Sequence, residues 1–146
     1  MIKKIYIAGP LFNLHERQYL EEIVNELENN GYDCFLPHRD QSGINESQIK
    51  TTEMTPSIKG KIFKNDLNAL KTSDMTVALI TGWDIDSGTA GEIGYTFASG
   101  KPVIAIDADE RRFRNLFVEG MIAETVRDTG QIIPAIERIK ARIFKI

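Results

Sequence analysis

Three short apolar runs, Lys4–Ala8, Met75–Ile80 and Pro102–Asp107, are continuous instead of alternating with polar residues. Rich in β-branched side chains and only a few residues long, they read as strands that must be covered on both faces. A weaker run, Asp33–Leu36, precedes Pro37. A strand covered on both faces needs helices above and below its sheet. The segments between the runs supply them.

From Glu16 to Asn29 the apolar residues Tyr19, Leu20, Ile23, Val24 and Leu27 recur at helical spacing, and Gly31 ends the stretch. Asn13 with Glu16 three positions later predicts a capping box at its start. A second helix is predicted from about Ser57 to Lys71, with Ile58, Ile62, Phe63, Leu67 and Leu70 on one stripe. A third begins near Thr89 and ends at Gly100, and a last one follows Pro134, with Ile136, Ile139, Ile143 and Phe144 turned inward. Strands alternating with helices imply right-handed crossovers and a parallel sheet in a doubly wound, three-layer α/β sandwich. Two segments break the rhythm. His38–Pro56 is polar and turn-rich, a long connection suited to folding over a site; Asp107–Arg114 is charged, and residues 115–128 read as mixed sequence with a short helix. Neither resembles a linker, so residues 1–146 are expected to form one domain.

Charge narrows the function. With 18 basic against 21 acidic side chains and a net charge of −3, no broad basic face for a nucleic acid polymer or a membrane surface is expected. Hydrophobic residues at 42% and charged residues at 27% fit a globular soluble protein and not a disordered one. The single cysteine, Cys34, allows no internal disulfide and suits a reducing compartment. No apolar run approaches membrane-spanning length, and the start Met1-Ile2-Lys3-Lys4 lacks a signal-peptide core. A cytoplasmic location is the expectation.

In an open parallel sheet, ligands bind beyond the carboxyl ends of the strands, where strand order reverses. Three loops leave strand ends: Gly9–Asn13, Thr81–Gly91 and Asp107–Asn115. The middle one runs into the predicted third helix and sets Glu92 near its first turn, where amide dipoles favour an ionised carboxylate able to act as nucleophile. The plain alternative is a glutamate that merely complements the helix start. Asp66 lies four after Ile62, three after Phe63 and four before Leu70, on the apolar stripe of its helix. A carboxylate there needs a partner or a polar cavity. Asn65 beside it reads as plain surface. Gly9, Phe12, Trp83, Asp86 and Gly88 complete the candidate ligand contacts; Trp83 could equally cover the sheet edge, and small residues at 88, 90, 91 and 94 allow close approach to backbone. Gly88–Gly94 is not the spaced dinucleotide fingerprint, so a dinucleotide cofactor is poorly supported. His15 and His38 have no companions at metal-ligand spacing and read as surface or loop residues, and Cys34 as an inert core thiol.

Ile5-Tyr6-Ile7-Ala8-Gly9-Pro10-Leu11-Phe12-Asn13, then Asn65-Asp66-Leu67 ahead of Ser73-Asp74, then Asp86 with Glu92, Gly94 and Tyr95, then Gly100-Lys101-Pro102-Val103 resemble the nucleoside 2-deoxyribosyltransferases. The resemblance runs in order from the first strand to about Gly120. It implies a flavodoxin-like, mainly parallel five-stranded sheet and transfer of 2-deoxyribose between nucleobases without metal or organic cofactor. It further implies Glu92 as the nucleophile that forms a covalent deoxyribosyl-enzyme, and Tyr6 as the side chain holding that carboxylate. By the same resemblance Asp66 and Asp86 contact the base, one of them delivering a proton, and Asn115 and Phe117 reach a neighbouring subunit's sugar site. Partners would be small deoxynucleosides and free nucleobases. Leu116, Phe117, Val118, Met121 and Ile122, apolar in a charged C-terminal third, suggest a homo-oligomer, dimer-based and up to a hexamer, unless they pack on their own sheet.

Two other functions compete. A hydrolase of deoxynucleoside 5′-monophosphates would need hydroxyls, amides or basic groups for a dianionic phosphate. Asp86, six before Glu92, would repel phosphate, although Ser87 and Thr89 offer hydroxyls. A non-catalytic nucleotide sensor or phosphoacceptor could use the same sheet, but the strand ends Tyr6-Ile7-Ala8-Gly9-Pro10 and Leu79-Ile80-Thr81 lack its acidic cluster.

Overall fold

The computed structural model describes residues 1–44, 54–107 and 115–143. Residues 45–53 of the long connection, the charged stretch 108–114 and Phe144 lie outside them. Chain order is β1 (Lys4–Ala8), α1 (Leu14–Asn29), β2 (Asp33–Phe35), α2 (Pro56–Thr72), β3 (Met75–Leu79), α3 (Ser87–Ala98), β4 (Val103–Ile106), α4 (Leu116–Gly120), β5 (Glu124–Val126) and α5 (Ile132–Ile143). The strands pair in the order β2-β1-β3-β4-β5, all parallel. This is a flavodoxin-like α/β sheet, and order reverses between β1 and β3.

The helices begin and end where local chemistry requires. The Asn13 side chain accepts from the Glu16 amide at 2.9 Å, and the Glu16 carboxylate accepts from the Phe12 amide at 3.1 Å, one residue earlier than a standard capping box. Gly31, at φ +89°, lets the chain turn out of α1, and the Tyr32 amide donates back to the Leu27 carbonyl. Pro56 in the first turn of α2, capped by Thr55, costs no intrahelical bond.

Side chains of the central strands divide by the period of two. Ile5, Ile7, Met75, Val77, Leu79, Ile104 and Ile106 pack against α1 and α5. Tyr6, Ala8, Ala78 and Val103 face α2, α3 and α4. Ala8, Ala78 and Ala105 lie side by side in register, a row of small side chains across the centre of the sheet. One step down, Tyr6 is in register with Thr76. The Thr76 hydroxyl meets the Thr96 hydroxyl at 2.7 Å, which itself donates to the Glu92 carbonyl at 2.8 Å, so α3 is pinned to β3 inside the core.

Some expectations hold and others are corrected. The fifth strand was not legible, because Glu124–Val126 has three residues and only Val126 is buried. The short helix expected in 115–128 is α4, ahead of it. Ile136 and Ile139 are buried as expected, but Ile143 is 50% exposed at the end of α5. On α2 only Ala69 and Leu70 are buried, and Phe63 is 65% exposed: Leu70 joins the core, while Ile62, Phe63 and Leu67 of the same stripe line a cleft.

The threonine pair makes a measurable prediction. Thr96→Val leaves the Thr76 hydroxyl buried without a partner and should cost about 1–3 kcal/mol in urea unfolding, whereas adding Thr76→Val should recover most of that loss.

Candidate active site

A cleft of about 810 Å³ opens at the carboxyl ends of β1 and β3, where strand order reverses. Glycine is required at position 9, which lines it: a Cβ there would come within 2.7 Å of Leu20 Cδ2 and 3.0 Å of Leu79 Cβ. The walls are largely apolar, with Leu11 and Phe12 from the first loop, Ile62, Phe63 and Leu67 from α2, and Met54 ahead of it. Into this apolar setting the chain places three carboxylates: Asp66 from α2, Asp86 at the start of α3, and Glu92 within α3.

Glu92 is six residues beyond the cap Asp86, past the turn whose amides are unpaired. Its environment is therefore set by burial. Burial, with the charges of Asp66 and Asp86, pushes its carboxyl from the ordinary 4.5 to about 7, against the opposing effect of a hydrogen bond from Tyr6. The expectation that the helix start keeps Glu92 an anion is thus corrected. The Tyr6 hydroxyl donates to Glu92 Oε2 across the sheet–helix boundary. Burial, and then the neighbouring charges of Glu92 and Asp66, raise the pKa of Tyr6, so the phenol keeps its proton and remains a donor. Its ring stacks on Phe35 of the adjacent strand, with centroids 5.6 Å apart.

The other two carboxylates are held differently. Asp86 caps α3: its Oδ2 accepts from the Thr89 amide and the Thr89 hydroxyl, both at 3.1 Å. Asp66 accepts a hydrogen bond from Gln41 Nε2 at 2.9 Å, which opposes but does not overcome the rise in its pKa from burial. Gln41 and His38 come from the start of the long connection, which does border the cleft. Of the two readings for His38, surface or loop, the loop one holds: it sits in a turn after β2 with its side chain only 13% exposed, Nε2 lies 3.1 Å from Glu21 Oε1, and the buried Nδ1 has no hydrogen-bond partner.

Gly9, Phe12, Asp66, Asp86, Gly88 and Glu92 therefore share one cleft, with Tyr6 behind Glu92. Trp83 does not line it and is 80% exposed. Asn115 caps α4 through bonds to the Phe117 and Val118 amides, and Phe117 is 79% exposed; neither lines the cleft of its own chain. Sequence reasoning did not single out Gln41 or Met54, which also line the cleft, and nothing in their local pattern marked them; Tyr95, quoted above only as part of the resemblance and given no role, lines it too. Asn65 is not plain surface, since it donates to Gln41 and to the Ser42 carbonyl. Cys34 is buried, its thiol pushed up to about 12, first by burial. Among the described residues no three His, Cys, Asp or Glu side chains group so as to hold a metal ion, and no helix is long and apolar enough to cross a membrane.

Known proteins share this arrangement of chain. A nucleoside deoxyribosyltransferase of Limosilactobacillus fermentum is 30% identical over 107 residues, 70% of this chain; the chain spans 64% of that relative's length. A conserved protein from Enterococcus faecalis V583 has a similar structure, with TM-score 0.77 at 27% identity over 94% of this chain and 99% of that one. A 2-deoxyribosyltransferase from Bacillus psychrosaccharolyticus superposes with TM-score 0.75 at 27% identity, over 88% of this chain and 89% of its own. Residues 5–133 match the sequence profile of the nucleoside 2-deoxyribosyltransferases, and the chain belongs to that family.

Proposed function

We propose that the protein transfers 2-deoxyribose from one nucleobase to another, with Glu92 as the nucleophile and no cofactor. The observation that carries this reading is a carboxylate buried in an apolar cleft, aimed by a tyrosine and faced by a second perturbed carboxyl. Cleaving an N-glycosidic bond builds positive charge on the sugar, and a fixed carboxylate in low dielectric stabilises that charge strongly. Glu92 then attacks the anomeric carbon, the carbon–nitrogen bond breaks, and its electron pair leaves with the base. A proton from Asp66 neutralises the departing nitrogen. An incoming base attacks the same carbon, displaces Glu92 and returns its proton to Asp66. Two inversions give overall retention.

Asp66 fits the proton-carrying role better than Asp86 because burial favours its neutral form, whereas Asp86 is engaged as a helix cap. Gln41 beside Asp66 supports a base-binding edge, and Phe12 and Phe63 supply apolar wall. The lining holds no lysine or arginine among the described residues, which favours a neutral nucleoside over a 5′-monophosphate. In this reading Leu116 and Phe117, 70% and 79% exposed, meet a neighbouring copy in a homo-oligomer, while Val118 packs on its own sheet.

Exchange between a deoxynucleoside and a different free base, followed by chromatography, tests the activity directly. Glu92→Ala should abolish the new nucleoside, and mass spectrometry of quenched wild-type enzyme should find one deoxyribosyl group on Glu92; an enzyme that never carries the adduct, or a variant that still exchanges, refutes the assignment. The reactive form carries one proton on the coupled Asp66–Glu92 pair, placed on Asp66. The rate should therefore fall on the alkaline side as the last proton leaves near pH 7, and on the acid side as a second proton binds. Tyr6→Phe removes a bond that lowers the Glu92 pKa, so the alkaline limb should move up while the rate drops. Asp66→Asn should slow exchange by about 10²–10⁴-fold and leave a residual rate that rises with pH instead.

Burial of Glu92 also has a stability consequence. Because its folded pKa lies above the unfolded one, the native state loses stability as pH rises from 4.5 through 7, in total on the order of 3 kcal/mol. Glu92→Gln lacks that titration. Its stability advantage in urea unfolding should be small at pH 4 and grow to a plateau by pH 8.

A further inference from the structure

We propose that Asn65 is a positioning residue that sets which end of the Gln41 amide stands beside Asp66, and through it the hydrogen-bonding pattern offered to the nucleobase. This rests on the transferase reading of the cleft. Asn65 does not line the cleft; it lines a separate polar groove of about 390 Å³ together with Ser42 and Asn68. Its influence must pass through another side chain.

The order of bonds starts from a group with no ambiguity. The Ser42 backbone carbonyl can only accept, and Asn65 Nδ2 lies 3.0 Å from it, so the nitrogen end of Asn65 points that way. The same nitrogen lies 3.1 Å from the Gln41 amide, which must then turn its Oε1 toward Asn65, because two donors cannot face each other. Gln41 Nε2 is left on the opposite side, where it meets Asp66 Oδ1 at 2.9 Å.

Two consequences follow at the cleft wall. An incoming heterocycle, arriving once Asp66 has given its proton to the departing base, meets a donor, Gln41 Nε2, beside an acceptor, ionised Asp66; with the amide reversed it would meet two acceptors, and the Gln41 oxygen would repel that carboxylate. The bond from Gln41 also occupies Oδ1, so the proton that Asp66 carries sits on Oδ2. One backbone carbonyl thus fixes an orientation three groups away.

Asn65→Asp keeps the size of the side chain and removes its donors. The aspartate repels the Ser42 carbonyl and the Gln41 oxygen, drawing Gln41 Nε2 away from Asp66. The readout is the ratio of transferred nucleoside to free deoxyribose at one fixed, subsaturating acceptor concentration. Water needs no base site, so poorer capture of the acceptor shifts the ratio toward hydrolysis. The ratio counts only working enzyme and is unmoved by a misfolded fraction. Asn65→Asp and Asn65→Leu should each lower it about tenfold, the scale of one mis-set hydrogen bond. In a Gln41→Ala background the Asn65→Asp change should have no further effect on the ratio, since nothing remains to be oriented. A wild-type ratio in both single variants, or the same fall with Gln41 removed, overturns the inference and leaves the transferase reading standing. Wild-type protein that makes no exchange product overturns both.

Discussion

The bond from Tyr6 to Glu92 ties a core strand to the helix that carries the candidate nucleophile. Everything around it serves to make that bond possible. Tyr6 is fully buried in β1, and parallel pairing puts Thr76 of β3 beside it. Thr76 grips Thr96, one turn beyond Glu92 on α3, so two neighbouring side chains of the sheet hold two successive turns of one helix. The row Ala8, Ala78 and Ala105 adds no bulk between them. A carboxylate pinned at both its side chain and its backbone turn has little freedom to reorient when a substrate arrives, which is the condition for electrostatic stabilisation without reorganisation.

The same burial that makes Glu92 useful makes it costly. A buried carboxylate in a cleft walled by Leu11, Phe12, Ile62, Phe63 and Leu67 loses hydration that Tyr6 replaces only in part, and the charges of Asp66 and Asp86 add to the penalty. The pair Asp66–Glu92 consequently holds a proton nearer neutrality than either group would alone in water. In the proposed reaction, acid and nucleophile would then differ by environment and not by residue type. If Glu92 acts as proposed, stability and chemistry would pull against each other at this site.

Residue order made much of this legible, for identifiable reasons. Continuous runs such as Met75–Leu79 could only be strands covered on both faces, and Asn13 and Gly31 bracketed α1 because caps and left-handed turns are local chemistry. Asp66 stood out because a carboxylate on an apolar stripe demands an explanation. Other readings failed where the deciding partner is distant in sequence. Ile62 and Phe63 could be placed only on an apolar stripe, since periodicity reports that a helix has an apolar face but not whether protein or ligand will cover it. Glu92 looked like a helix-start anion, since the loop length did not reveal that Asp86 caps the helix six residues earlier. Asn65 looked like surface because its partners, Gln41 and Ser42, are more than twenty residues away.

The central strands, the ends of α1, the parallel architecture and the family were therefore written in local pattern, which depends on neighbours within a turn or two. The raised pKa of Glu92, the different surroundings of Asp66 and Asp86, and the orientation of Gln41 were not. They arise only once β1, α2 and α3 converge at the point where strand order reverses, because desolvation and hydrogen bonding across elements are properties of an enclosure and belong to no single segment.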